Sequence, residues 1–150
     1  MEAVVSAIAF FALCVLLFAA SVTDIRERKI PNWLVASIVG LWLVWRTALI
    51  ALGAVEPVSF VSSFGGAIVF AAGLLIVIAV AERLTGKFMM GGGDIKLLAA
   101  VSLFLGFNGI LVALFVACLI SFAYAAAHLK RGIPFAPCIM GGALLAFLLA

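Results

Sequence analysis

Long apolar runs, interrupted by short breaks that carry charges, glycine or proline, set the organisation of this chain. The runs lie at approximately Ala3–Val22, Trp33–Leu52, Val58–Ala81, Ile95–Phe107, Ile110–His128 and Pro137–Leu149. A helix crossing ~30 Å of hydrocarbon needs roughly 20 mostly apolar residues, and lipid admits only backbone that satisfies its own hydrogen bonds. The pattern therefore predicts an all-α, polytopic membrane helix bundle with about six transmembrane helices. The fourth and sixth runs are short, so they are expected to lie partly buried among neighbours or to begin at a re-entrant loop. The first run reads as a retained span rather than a cleaved signal, because its flanking charge is Glu2 and no basic stretch precedes it.

Composition supports the same solvent. Hydrophobic residues make up 69% of the chain and charged residues 10%, with a mean hydropathy of +1.46, which no soluble domain of this length can bury. No polar stretch is long enough to form a soluble unit, so residues 1–150 read as a single integral-membrane domain.

Basic residues stay on the cytoplasmic side of short loops. Arg26, Arg28 and Lys29 follow the first run, Arg83 and Lys87 the third, and Lys130 and Arg131 the fifth. Arg46, Glu2 and Glu56 fall towards the opposite face, so both termini are expected outside an inner (plasma) membrane. The net charge of +3 reflects this orientation. With no basic run interleaved with aromatics, nucleic-acid binding is not expected. Cys14, Cys118 and Cys138 stand singly, without metal or redox spacing, and read as small packing residues. Neither metal nor cofactor is expected.

Ionisable residues beside a hydrocarbon span are costly, which singles out three segments. In the first, Ser21 to Asn32, Asp24 ends an apolar run and Ile30-Pro31-Asn32 opens the next. Pro31 suits a helix's first turn and Asn32 can satisfy free amides there. Arg26, Glu27, Arg28 and Lys29 read as anchors at headgroup level. Asp24 alone would read as their counter-charge. The second segment, Met89 to Lys96, contains Gly91, Gly92 and Gly93 followed by Asp94. Consecutive glycines let another chain approach without side-chain obstruction. Asp94 alone would read as a helix cap, since exposed amides favour negative charge at a helix start.

Together the two aspartates are more specific, because both are expected at the same membrane face beside a glycine-rich approach. Two carboxylates close enough to share a proton titrate as a pair, one ionised and one protonated. One can then deprotonate water while the other polarises a scissile carbonyl, with no metal and no covalent intermediate. The third segment, Lys130 to Gly142, contains Pro134 and Pro137, which force extended neighbours and suit the wall of a peptide groove or an ordinary helix start.

The ordered set Asp24 with Ile30-Pro31-Asn32, Gly91-x-Gly93-Asp94-x-Lys96, and Ile133-Pro134-Phe135-Ala136-Pro137 resembles the prepilin peptidases, and the short chain is similar to the branch serving Tad/Flp-type pili. The resemblance implies a membrane aspartic endopeptidase that cuts the leader peptide of a pilin or pseudopilin precursor at the cytoplasmic face, with Asp24 and Asp94 as the catalytic pair. It also implies a pilus assembly machinery as a further partner, besides the lipid bilayer. Long members of the family carry an extra cytoplasmic domain, often with paired Cys-x-x-Cys, and also methylate the new amino terminus. This sequence shows neither feature, so processing without N-methylation is expected.

Lys96 matches the family's lysine after the glycine-aspartate element and reads either as a partner for a carboxylate or peptide carbonyl, or as a snorkelling anchor. His128 reads as interfacial. Trp33, Trp42 and Trp45 read as bilayer-facing or interfacial aromatics, and Gly65, Gly66 and Gly73 as a small-residue packing face. The alternative from another class is a small proton- or cation-coupled transporter, which requires carboxylates near the midplane and a repeated half. The expected positions at one face favour the peptidase.

Overall fold

The computed structural model describes residues 1–54, 57–86, 90–127 and 135–149, with the side chains of residues 57–60 and 127 outside the description. Expectations that fall on Glu56, Lys87, His128, Lys130, Arg131 and Pro134 lie outside the described residues. Among the described residues every regular element is an α-helix: α1 (Glu2–Glu27), α2 (Asn32–Ala51), α3 (Pro57–Thr85), α4 (Gly92–Ala127) and α5 (Ala136–Leu149). The first four are long and apolar enough to cross a membrane, and α5 is a shorter apolar helix.

The α1–α2 connection is tight. Arg28 closes α1 in the left-handed conformation (φ 53°, ψ 34°), and its N–H returns to the Asp24 carbonyl at 3.0 Å. Pro31 then sits in extended backbone just before α2, where its missing N–H is harmless.

A straight helix as long as α4 would run ~54 Å at 1.5 Å per residue, well beyond a ~30 Å hydrocarbon core. The chain instead breaks at Gly106, whose φ of 68° and ψ of 179° leave helical space and suit a residue without Cβ. Contacts on either side give the arms' directions. The arm before the break runs parallel to α2, since Lys96 meets Asn32 and Phe104 stacks on Trp45. The arm after it runs antiparallel to α5, with Ala113 and Ala117 against Gly142 and Ile120 against Gly141. Helix α5 is antiparallel to α1, where Asp24 meets Ala136, Ser21 meets Met140 and Phe10 stacks on Phe147. Since α1 and α2 are themselves antiparallel, with Trp45 reaching back to Ser6, the two arms of α4 run in opposite senses. The fourth and fifth apolar runs are thus separate arms joined at a glycine.

The first arm is the centre of the bundle. Leu97, Leu98, Ala100, Val101, Ser102 and Leu103 are all buried, a sequence of positions that a helix can bury only when neighbours surround it. Leu97, Leu98, Ala100 and Val101 pack with Leu17, Leu34, Ile38, Ile110 and Ile139, and Leu103 with Trp42 and Ala67. Against this core α3 is peripheral, burying Ala67 and Phe70 while Val61, Ile68, Val69, Ile76 and Val77 face outwards, as lipid requires.

Three expectations are corrected. Trp42 is not an interfacial aromatic: it is wholly buried, 6.3 Å from the ring of Phe64, because that face of α2 turns towards α3 and α4. Trp45 is half-buried and only Trp33 is largely exposed. The small residues of α3 pack only in part: a Cβ at Gly66 would touch the Cβ of Phe107 at 3.7 Å and Ala67 is buried, but the closest small-residue packing lies elsewhere. A Cβ at Gly65 or Gly73 would meet nothing within 4 Å, whereas one at Gly142 would overlap the Ala113 carbonyl oxygen. Cys118 is exposed and does not pack inside, while Cys138 is buried.

Candidate active site

The last turn of α1 ends in a polar position that its predecessors prepare. Ser21 and Thr23 direct their hydroxyls to backbone carbonyls one turn earlier, at Leu17 and at Ala19 and Ala20, so their polar atoms are satisfied within the helix. Asp24 follows and is buried, 8% exposed. It projects towards the start of α5, where the Ala136 N–H donates to its Oδ2 at 3.0 Å. Ala136 is the first residue of α5, so this amide has no partner within its own helix.

Asp94 sits in the first turn of α4, half-buried, at the same end of the bundle. Asp24, Arg28, Lys29, Ile30, Gly91, Gly92, Gly93 and Asp94 line one cavity of about 320 Å³. The two carboxylates are close enough for the charge on Asp24 to bear on Asp94. The arrangement thus joins two acids from separate helices in a polar, accessible recess.

The glycine run has different work at each position. A Cβ on Gly91 would stand 3.3 Å from Oδ2 of Asp94, and one on Gly93 would stand 3.2 Å from the Cβ of Ile30. A Cβ on Gly92 would meet nothing within 4 Å. The outer two glycines therefore admit the carboxylate and the α1–α2 connection, while the middle position is open to the cavity.

Of the other residues singled out in the sequence, Lys96 and Asn32 meet each other: Nζ donates to Oδ1 at 3.2 Å. Neither lines the aspartate cavity, and Lys96 lies on the rim of a separate apolar groove between α2, α3 and α4. Asn32 thus turns to the lysine rather than to free amides of its own helix. Pro31 lies immediately before α2 and Pro137 in the first turn of α5. Sequence reasoning missed Arg28, Lys29 and Ile30 as cavity residues and the Ala136 amide as a partner of Asp24. The last lay inside the recognised Ile133 to Pro137 motif, but nothing in a sequence pairs a backbone N–H with a carboxylate far along the chain. Among the described residues no cluster of three or more potential metal-binding side chains occurs.

Residues 11–126 match the type IV leader peptidase family. The chain is similar to the prepilin leader peptidase/N-methyltransferase of Bacillus subtilis (strain 168), with 34% identity over 140 residues, covering 89% of this chain and 52% of that protein. It therefore spans about half the length of that relative. No solved structure matches.

Proposed function

The chain belongs to the type IV leader peptidase family, and from that membership we propose that it is a membrane aspartic endopeptidase cutting the leader peptide of type IV, Flp-like prepilins or pseudopilins. The observation that carries the mechanism is the shared cavity of Asp24 and Asp94, lined by Gly91 to Gly93 and open at Gly92.

In the proposed reaction an extended substrate segment lies along the glycine run. The ionised aspartate takes a proton from a water molecule, and the hydroxide so formed adds to the scissile carbonyl. The protonated aspartate gives its proton to the carbonyl oxygen, so the tetrahedral intermediate develops no full negative charge. Transfer of a proton from the first aspartate to the leaving amine breaks the C–N bond, while a hydroxyl of the intermediate returns its proton to the second aspartate, leaving an acid, an amine and a singly protonated pair. Pro137 and the start of α5 form one boundary of this end of the bundle, and the Lys96–Asn32 contact ties α4 to α2 beside it.

The proposed orientation has six crossings, both termini outside and the site at the cytoplasmic face of the inner membrane. The basic residues Arg26, Arg28, Lys29 and Arg83 at this end of the bundle support it. Cleavage without N-methylation is part of this proposal. A pilus assembly machinery would receive the product.

The test is co-expression with a candidate pilin precursor, comparing wild type with Asp24→Asn and Asp94→Asn at equal membrane abundance. Shortening of the precursor by wild type alone is the expected result. Equal cutting by either variant would remove the aspartic mechanism, and no cutting of any pilin offered would remove the substrate.

A further inference from the structure

The two aspartates lie in unlike surroundings, and the difference assigns their protons. Asp24 is the more buried, and its Oδ2 accepts the N–H of Ala136 at 3.0 Å. That amide belongs to the first residue of α5, and Asp94 likewise stands in the first turn of α4, so a helix start favours charge on either acid and the amide bond to Oδ2 is what separates them. A bond from N–H to a charged oxygen is roughly twice as strong as one to a neutral oxygen, and therefore favours ionisation. Asp94 has no hydrogen bond to its carboxyl from the described residues and leans back over Gly91. Two adjacent carboxylates cannot both ionise cheaply, so the charge goes to the one that is held by a donor.

Resting on the peptidase reading above, we infer that the backbone N–H of Ala136 makes Asp24 the ionised member of the pair and leaves the shared proton on Asp94. Asp24 is then the base that takes the proton of water, Asp94 the acid that protonates the carbonyl oxygen, and Ala136 a positioning residue. The groups that bear on Asp24 are Asp94 from α4, Arg28 and Lys29 from the α1–α2 connection, and Cys138 from α5. The cations stabilise charge on either acid from the same cavity; the Ala136 amide discriminates between them.

Replacing the Phe135–Ala136 amide by an ester, with lactate at position 136 of the full chain, deletes this one donor and keeps the side chain. In the wild-type pH profile for precursor cleavage, the acidic limb reports the first ionisation of the pair and the alkaline limb the second. If Asp24 is charged in the active form, its donor is lost from the singly and doubly ionised states alike. The acidic limb then moves up by about one pH unit while the alkaline limb stays. If Asp24 holds the proton, the first ionisation is unaffected and the alkaline limb moves instead, which overturns the assignment. A uniform loss of rate with both limbs fixed also overturns it, leaving Ala136 a structural role alone.

A second measurement needs no turnover, so it separates failure of this assignment from failure of the peptidase reading. An ionised carboxylate opens an epoxide by attack at carbon, the released alkoxide taking a proton from water. A protonated carboxyl instead transfers its proton to a diazo carbon, and the carboxylate then displaces dinitrogen to leave an ester. Peptide mapping at neutral pH is expected to find the epoxide adduct on Asp24 and the diazo ester on Asp94. The reverse pattern, or both adducts on one residue, overturns the inference whether or not a pilin is cut.

Discussion

The ammonium of Lys96 donates to the side-chain oxygen of Asn32 at 3.2 Å, joining the second turn of α4 to the first residue of α2. The bond spans the structure between the α1–α2 connection and the glycine run, so it helps to set where Asp94 stands relative to Asp24. Both side chains are solvent-facing. Their coupling is therefore expected to be modest, about 0.5–1 kcal/mol in a double-mutant cycle of Lys96→Met and Asn32→Ala. The cycle is read in thermal stability and in cleavage rate. Strict additivity in both would show that the contact does not act as a pair.

The three glycines are expected to answer differently to alanine. Gly92→Ala meets open space in a first helical turn and should add roughly 0.5–1 kcal/mol of stability, while its methyl enters the cavity proposed for substrate and should raise KM. Gly91→Ala displaces the Asp94 carboxyl and Gly93→Ala presses on Ile30, each costing about 1 kcal/mol or more in transition-state stabilisation, near tenfold in kcat/KM. An equal loss through kcat at all three positions would refute the division of roles.

Helix α5 is held by backbone apposition. At Gly142 any side chain meets the Ala113 carbonyl and the Ala117 amide nitrogen, and neither can rotate away. Gly142→Ala is expected to destabilise the protein by about 1–3 kcal/mol and to weaken cleavage, since α5 carries the Ala136 amide. Thermal unfolding in detergent measures the first effect. By contrast, Gly73→Ala meets nothing and should be neutral or stabilising.

The tryptophans separate by burial. Trp42→Ala removes a wholly buried ring from the α2–α3–α4 contact and is expected to cost about 3–5 kcal/mol. Trp33, 62% exposed, belongs to the surface, and Trp33→Ala should stay within about 0.5 kcal/mol. Comparable unfolding midpoints for the two variants would contradict the packing described.

Much of this protein was legible before any coordinates. Apolar runs of membrane length dictate helices because lipid offers the backbone no other partner, and Pro31 marks the break before Asn32; the break between the fourth and fifth runs was expected at residues 108–109 and falls instead at Gly106. The candidate pair, Asp24 and Asp94, was legible because a carboxylate beside hydrocarbon is costly enough to need a reason. Which side of each helix faces which neighbour was not legible. In a chain this apolar, hydropathy varies little around a helix, so the sequence alone could not tell that Trp42 points inwards or that Gly142, rather than Gly73, lies against another backbone. Nor could it pair the Ala136 amide with Asp24, because a backbone N–H carries no residue identity and only the antiparallel docking of α5 on α1 brings it there.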